Sequence, residues 1–76
     1  MAKTIRLRVD QFRKAARLAG YRSGYALANA MEVERSTLHR VLNGTLHPGP
    51  AFIGGALTAL APMQFEDLFE VVPVRL

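Results

Sequence analysis

At 76 residues with no cysteine and two histidines, the chain is one small domain, without a disulfide framework, a thiolate metal site or the ligands of a zinc centre. Half of its residues are hydrophobic, enough for a core, yet no apolar run reaches the roughly 20 residues that span a bilayer, and the first eight residues lack a signal-peptide apolar run. Charge is divided: residues 1–40 hold nine Lys or Arg against three acidic residues, a surplus of six, whereas residues 41–76 hold one against three. The expectation is a cytoplasmic protein whose basic part faces a polyanion, with apolar packing and a second subunit as its sources of stability.

Taken in order, Thr4 to Val9 alternates apolar Ile5, Leu7 and Val9 with Arg6 and Arg8, the period of a half-buried strand. Asp10 is placed to cap a helix through Leu18, with Phe12, Ala15, Ala16 and Ala19 inward and Arg13, Lys14 and Arg17 outward. Gly20 ends it, and Ser23 caps the next helix, whose inward stripe is Ala26, Leu27, Ala30 and Met31. After a break at Glu32-Val33 a further helix, about residues 34–42, turns Leu38, Val41 and Leu42 inward. Asn43-Gly44 stops that helix, and the turn-rich segment that follows leads to Pro50, a suitable first residue for a helix running to Leu60.

Adjacent Gly54 and Gly55 in that helix each cost about 1 kcal/mol against alanine, which calls for close approach of a neighbouring helix or of a DNA backbone. Gln64 to Phe69 reads as a short fifth helix with Phe65, Leu68 and Phe69 inward. A second β-prone run, about residues 70–76, contains Pro73, which cannot donate to a ladder and so belongs at an edge. The two terminal runs either pair with one another as a ribbon or pair across subunits.

The segment Ser23 to Gly44, with Leu27-Ala28, Val33, Arg35-Ser36-Thr37-Leu38, Arg40-Val41 and Asn43-Gly44 at these spacings, resembles the helix-turn-helix of the Cro/C1-type repressors. The resemblance extends in helix order over about residues 10–70. It implies a mainly α, five-helix, lambda-repressor-like domain, with helix-turn-helix 23–43 and short terminal strands near 4–9 and 70–76. It also implies a transcriptional regulator whose second helix of the pair lies in the major groove of double-stranded DNA, a homodimer at least when bound to its operator. The setting would be a bacterial cell or a phage-infected host, at the nucleoid.

Carried over by position, Arg35, Ser36, His39 and Arg40 are the candidate base readers. Arg suits guanine O6 and N7, while Ser discriminates little. Candidate phosphate contacts are Ser23, Gly24, Tyr25, Asn43 and Thr45, joined by Lys14, Arg22 and Thr37, the last also a packing residue between the two helices. This sequence departs from the family pattern at Gly24, where many members have glutamine, and at Glu32, where the turn often has glycine. Tyr21 reads as a rim-of-core residue, His47 as a loop residue, and Met31 and Met63 as core fillers. No arrangement of nucleophile and base, paired carboxylates or phosphate-cradling glycine loop stands out, so neither an enzyme nor a cofactor or small-molecule ligand is expected. The rival from another class is a protein-interaction module, such as an antitoxin or anti-repressor, that grips a partner with its terminal β edge.

Overall fold

A computed structural model describes residues 2–74, and the alternating stretch near its start is a strand, β1 (Lys3–Leu7). The chain continues through α1 (Val9–Leu18), α2 (Gly24–Met31), α3 (Arg35–Leu42), α4 (Pro50–Ala59) and α5 (Phe65–Leu68) to β2 (Phe69–Pro73). The described protein is therefore mainly helical, with a two-stranded sheet made from its own two ends. The strands are antiparallel, with Leu7 opposite Phe69, Arg6 opposite Glu70 and Lys3 opposite Pro73. Of the two pairings left open by the sequence, the one within the chain is present. No helix among the described residues is long and apolar enough to cross a membrane.

Several boundaries differ from expectation, each for a local reason. The first strand stops at Leu7 because the Arg8 carbonyl accepts from the Phe12 N–H (2.8 Å), so Val9 opens α1. Asp10 is then inside the first helical turn and does not cap it; its charge favours the helix N-terminus through the dipole. The fifth helix is a single turn, because Phe69 is extended (φ −134°, ψ 159°) and begins β2. The Asp67 carboxylate accepts from the Gln64 N–H at 2.7 Å and anchors that turn. The second strand ends at Pro73; of the predicted run to residue 76, Arg75 and Leu76 lie outside the described residues.

Phe12 of α1 lies 5.9 Å from Phe52 of α4, centroid to centroid, and Phe52 lies 6.4 Å from Phe69 edge to face. Phe65 stacks on Phe69 at 5.2 Å, so one aromatic row joins α1, α4, α5 and β2. Around it pack Leu27, Ala28 and Met31 of α2, Leu38 and Val41 of α3, and Ala56, Leu60 and Leu68. Ala28, not Ala26, completes the inward stripe of α2, and Ala19 is exposed because it is the C-terminal cap of α1. Met31 is buried and Met63 half-buried, as their reading as core fillers requires. Tyr21 sits at the core rim, where its hydroxyl donates to the Ala59 carbonyl at 3.0 Å.

The two glycines of α4 separate in role. A Cβ on Gly55 would overlap the Met31 carbonyl at the end of α2, whereas one on Gly54 would meet nothing within 4 Å. The close approach is thus to a neighbouring helix, at one glycine. Gly55→Ala should lower stability by about 1–3 kcal/mol through overpacking, and Gly54→Ala should raise it by roughly 0.4–1 kcal/mol. Urea unfolding midpoints of the two variants, compared with the parent chain, check both signs.

Candidate nucleic-acid interface

Helices α1, α2 and α3 end in the same way. The Gly20 N–H donates to Arg17 O and Tyr21 N–H to Ala16 O; Glu32 and Val33 donate to Asn29 O and Ala28 O; Gly44 and Thr45 donate to Val41 O and Arg40 O. This paired closure needs a left-handed residue, supplied by Gly20 (φ 93°), Glu32 (φ 58°) and Gly44 (φ 83°). Only at Glu32 is a side chain forced into that region, at a cost of about 1–2 kcal/mol. The tight turn that results separates α2 from α3, with Glu34 extended just before α3.

At 100° per residue, the buried Leu38 and Val41 leave Ser36, His39, Arg40 and Asn43 on the opposite side of α3, and all four are exposed. Arg35 is exposed in the first turn, to one side of that stripe. Thr37 is half-buried on the other flank. Three of the expected base readers, Ser36, His39 and Arg40, therefore share one open helix face, and Arg35 lies at its edge in the first turn.

The start of α2 is an array of hydrogen-bond donors. Ser23 is extended and its Oγ accepts from the Ala26 N–H at 3.1 Å, which caps the helix and leaves the hydroxyl proton free to donate. The Gly24 and Tyr25 N–H groups lie in the first turn, where a helix offers no acceptor, and no internal acceptor is found for them among the described residues. Two backbone donors, a hydroxyl and the positive end of the dipole can take an anion there. Tyr25 is 61% exposed.

Helix α1 supplies what the sequence reading missed. It has three faces about 120° apart: Phe12, Ala15 and Ala16 inward, Arg13 and Arg17 on a second, and Gln11, Lys14 and Leu18 on the third. Arg13 and Arg17 line an open cleft together with Arg22, Ser23, Gly24 and, from α3, Leu42. Lys14 is not in that group; it lines another cleft, with Leu18 and Leu60. The i, i+4 spacing of Arg13 and Arg17 was the available signal.

Beyond α3, Asn43 and Thr45 are brought together. The Thr45 hydroxyl donates to Asn43 Oδ1 at 2.8 Å, and Asn43 Oδ1 also accepts from the Thr45 N–H at 3.2 Å. With that oxygen so occupied, the side-chain nitrogen of the exposed Asn43 is left as a donor. His47 lies exposed in the following loop.

Part of the basic charge is used internally. Arg6 donates to Glu70 at 2.9 and 3.1 Å, and Arg8 lies 3.8 Å from the same carboxylate while its Nε donates to the Glu66 and Phe69 carbonyls. These are the ion pairs found among the described residues, and none involves Arg13, Arg17, Arg22, Arg35 or Arg40. Five arginines are thus left without an acidic partner around the α2 N-terminus and along α3. Such a surface can hold several oxyanions at once.

Glu32→Gly relieves the left-handed strain and should raise stability by about 1 kcal/mol without moving α3. A higher thermal midpoint with an unchanged amide spectrum for residues 35–42 is the expected result. No protein-family model matches the chain, and no curated protein or solved structure is significantly similar to it.

Proposed function

We propose that the protein is a sequence-specific regulator of transcription that binds double-stranded DNA through α2 and α3, in the manner of the Cro/C1-type helix-turn-helix repressors. The observation that carries the reading is the set of unpaired arginines Arg13, Arg17 and Arg22 beside the free Gly24 and Tyr25 N–H groups, adjoining the exposed polar face of α3. Five helices in the expected order and a capped α2, a tight turn and a short α3 at residues 23–43 support it as well.

In this reading α3 enters the major groove with its N-terminal turn foremost, so Arg35 and Ser36 meet base edges first. Arg35 donates two parallel bonds to a guanine, and Arg40 and His39 follow one turn later, reaching a base or the far phosphate. The Gly24 and Tyr25 amides, Ser23 and Arg22 hold one phosphate, while Arg13 and Arg17 neutralise its neighbours along the strand. Asn43 and Thr37 bracket α3 on the second strand. Thr45 holds Asn43 in place and so acts on DNA through it. Lys14, on another face of α1, is left out of this contact. A single module reads few base pairs, so two copies on a two-fold operator, with half-sites about 34 Å apart, complete the site.

DNA selection from a random pool, followed by salt titration on the recovered site, tests the reading. The selected sequence should be two-fold symmetric, and the log–log slope of affinity against salt should be steeper than about −3. A slope near zero overturns it. Arg35→Ala should cost about 1–3 kcal/mol at one base pair and relax preference there. Arg17→Ala should weaken binding to all sequences alike and make the salt slope shallower by about 1.

One observation favours the rival reading, a protein-interaction module. Val71 is 62% exposed on a two-stranded ribbon whose outer backbone edges are open. Under that reading a selection from random DNA returns no consensus, and Val71→Asp abolishes capture of a partner chain.

A further inference from the structure

The third face of α1 leads away from the arginine cleft. Leu18 is 78% exposed, the most exposed of the large apolar side chains among the described residues, and it stands at the rim of an apolar cleft. One wall of the cleft is α1, with Gln11, Lys14 and Leu18; the other is the Leu60–Met63 segment with Asp67 of α5. A lone exposed leucine is ordinary. Here it borders a hollow of matching chemistry, and the two walls carry opposite charges at their rims.

We infer that this cleft is where a second copy of the chain docks, in an isologous contact whose two-fold axis runs along the cleft. About such an axis the α1 wall of one copy meets the α5 wall of the other, and the reverse. Leu18 of each copy then covers the Ala61–Pro62–Met63 wall of its partner. Lys14 of each copy faces Asp67 of the other, which places two ion pairs at the rim of an apolar centre. The same geometry would set like charges together in a head-on arrangement with the axis across the cleft, so the rim charges select one register.

The charge pattern favours a second copy over a foreign partner, because a patch with a lysine on one wall and an aspartate on the other is its own electrostatic complement. The ten residues that line the cleft are fewer than the roughly 20–30 a side of a standard interface, so the dimer is weak, with dissociation on the order of micromolar or above. It rests on the operator reading only in that a two-fold site needs two copies. It also separates duties on α1, with Arg13 and Arg17 for DNA and Lys14 and Leu18 for the partner.

Sedimentation equilibrium of the full chain without DNA provides the test. The parent chain should self-associate, and Leu18→Glu, at an exposed position that leaves the core intact, should weaken association by about tenfold or more. Lys14→Asp and Asp67→Lys should each weaken it alone. Mixing those two variants should restore association, because both rim pairs of the mixed dimer are again opposite in charge. Because Asp67→Lys also removes the bond from the Gln64 N–H, Asp67→Asn, which keeps a capping oxygen without the charge, should weaken association as well, and circular dichroism melts show whether each variant is folded.

A parent chain that stays monomeric at about 0.5 mM overturns the inference. So does a Leu18→Glu chain that dimerises normally, or a mixture that does not recover. A dimer dissociated by Val71→Glu and not by Leu18→Glu would place the contact on the ribbon and overturn it as well. None of these measurements contains DNA, so their failure leaves the DNA-binding reading standing, and failure of the DNA selection leaves the contact standing.

Discussion

The arrangement of this protein depends on a contact between two backbones. Helix α4 at Gly55 lies directly against the Met31 carbonyl, at the point where α2 ends. That contact holds the end of α2, and the end of α2 is the left-handed Glu32, from which the direction of α3 follows. The strain of about 1–2 kcal/mol at Glu32 persists because its surroundings over-determine it. Gly55 on one side, and the bonds from Glu32 and Val33 back into α2 on the other, leave the turn one conformation. An exposed polar helix face is thereby presented by a rigid base, although the turn itself is short and solvent-facing.

The second organising feature is closure of the chain on itself. Leu7 and Phe69 face one another across the ribbon and both enter the core, so the two termini are tied through the aromatic row Phe12, Phe52 and Phe69. The Arg6–Glu70 pair on the other face is partly solvent-exposed and contributes roughly 0–1 kcal/mol. Its larger consequence is electrostatic. With Arg8 it absorbs an acidic residue of the C-terminal part, and the free positive charge is then concentrated on α1, the α2 entry and α3. The polarity evident in the sequence thus becomes sharper in three dimensions.

Much of the fold was legible because the chain marks its helix ends with residues of limited use elsewhere. Ser23, Gly20, Gly44 and Pro50 stand at the positions that capping chemistry predicts. Asp10 misled because a carboxylate in a first turn and one at a cap look alike in sequence; only the carbonyl of Arg8, caught by Phe12, distinguishes them. Phe69 was legible only as an alternative, being compatible with the inward face of a short helix and with the first position of the second β-prone run, which is where it lies. The side of α3 on which Ser36, His39 and Arg40 lie was legible from periodicity alone, since the buried Leu38 and Val41 define its complement. The angular offset of Lys14 from Arg13 and Arg17 was legible in the same way, but which cleft each of them lines was not, because that depends on the elements packed beside α1.

Sequence by itself determined the number and order of the helices, the tight turn at Glu32, the capped start at Ser23 and the excess of positive charge before residue 41. These are local properties, set by caps, periodicity and composition within a few residues. Tertiary structure alone decided that the two ends pair with each other, that Gly55 and not Gly54 admits a neighbouring helix, and that Arg6 and Arg8 are engaged while Arg13 and Arg17 are free. The reason is physical: each of these outcomes depends on what lies across space from a residue, and contacts between positions as distant as Arg6 and Glu70 leave no trace in either local pattern.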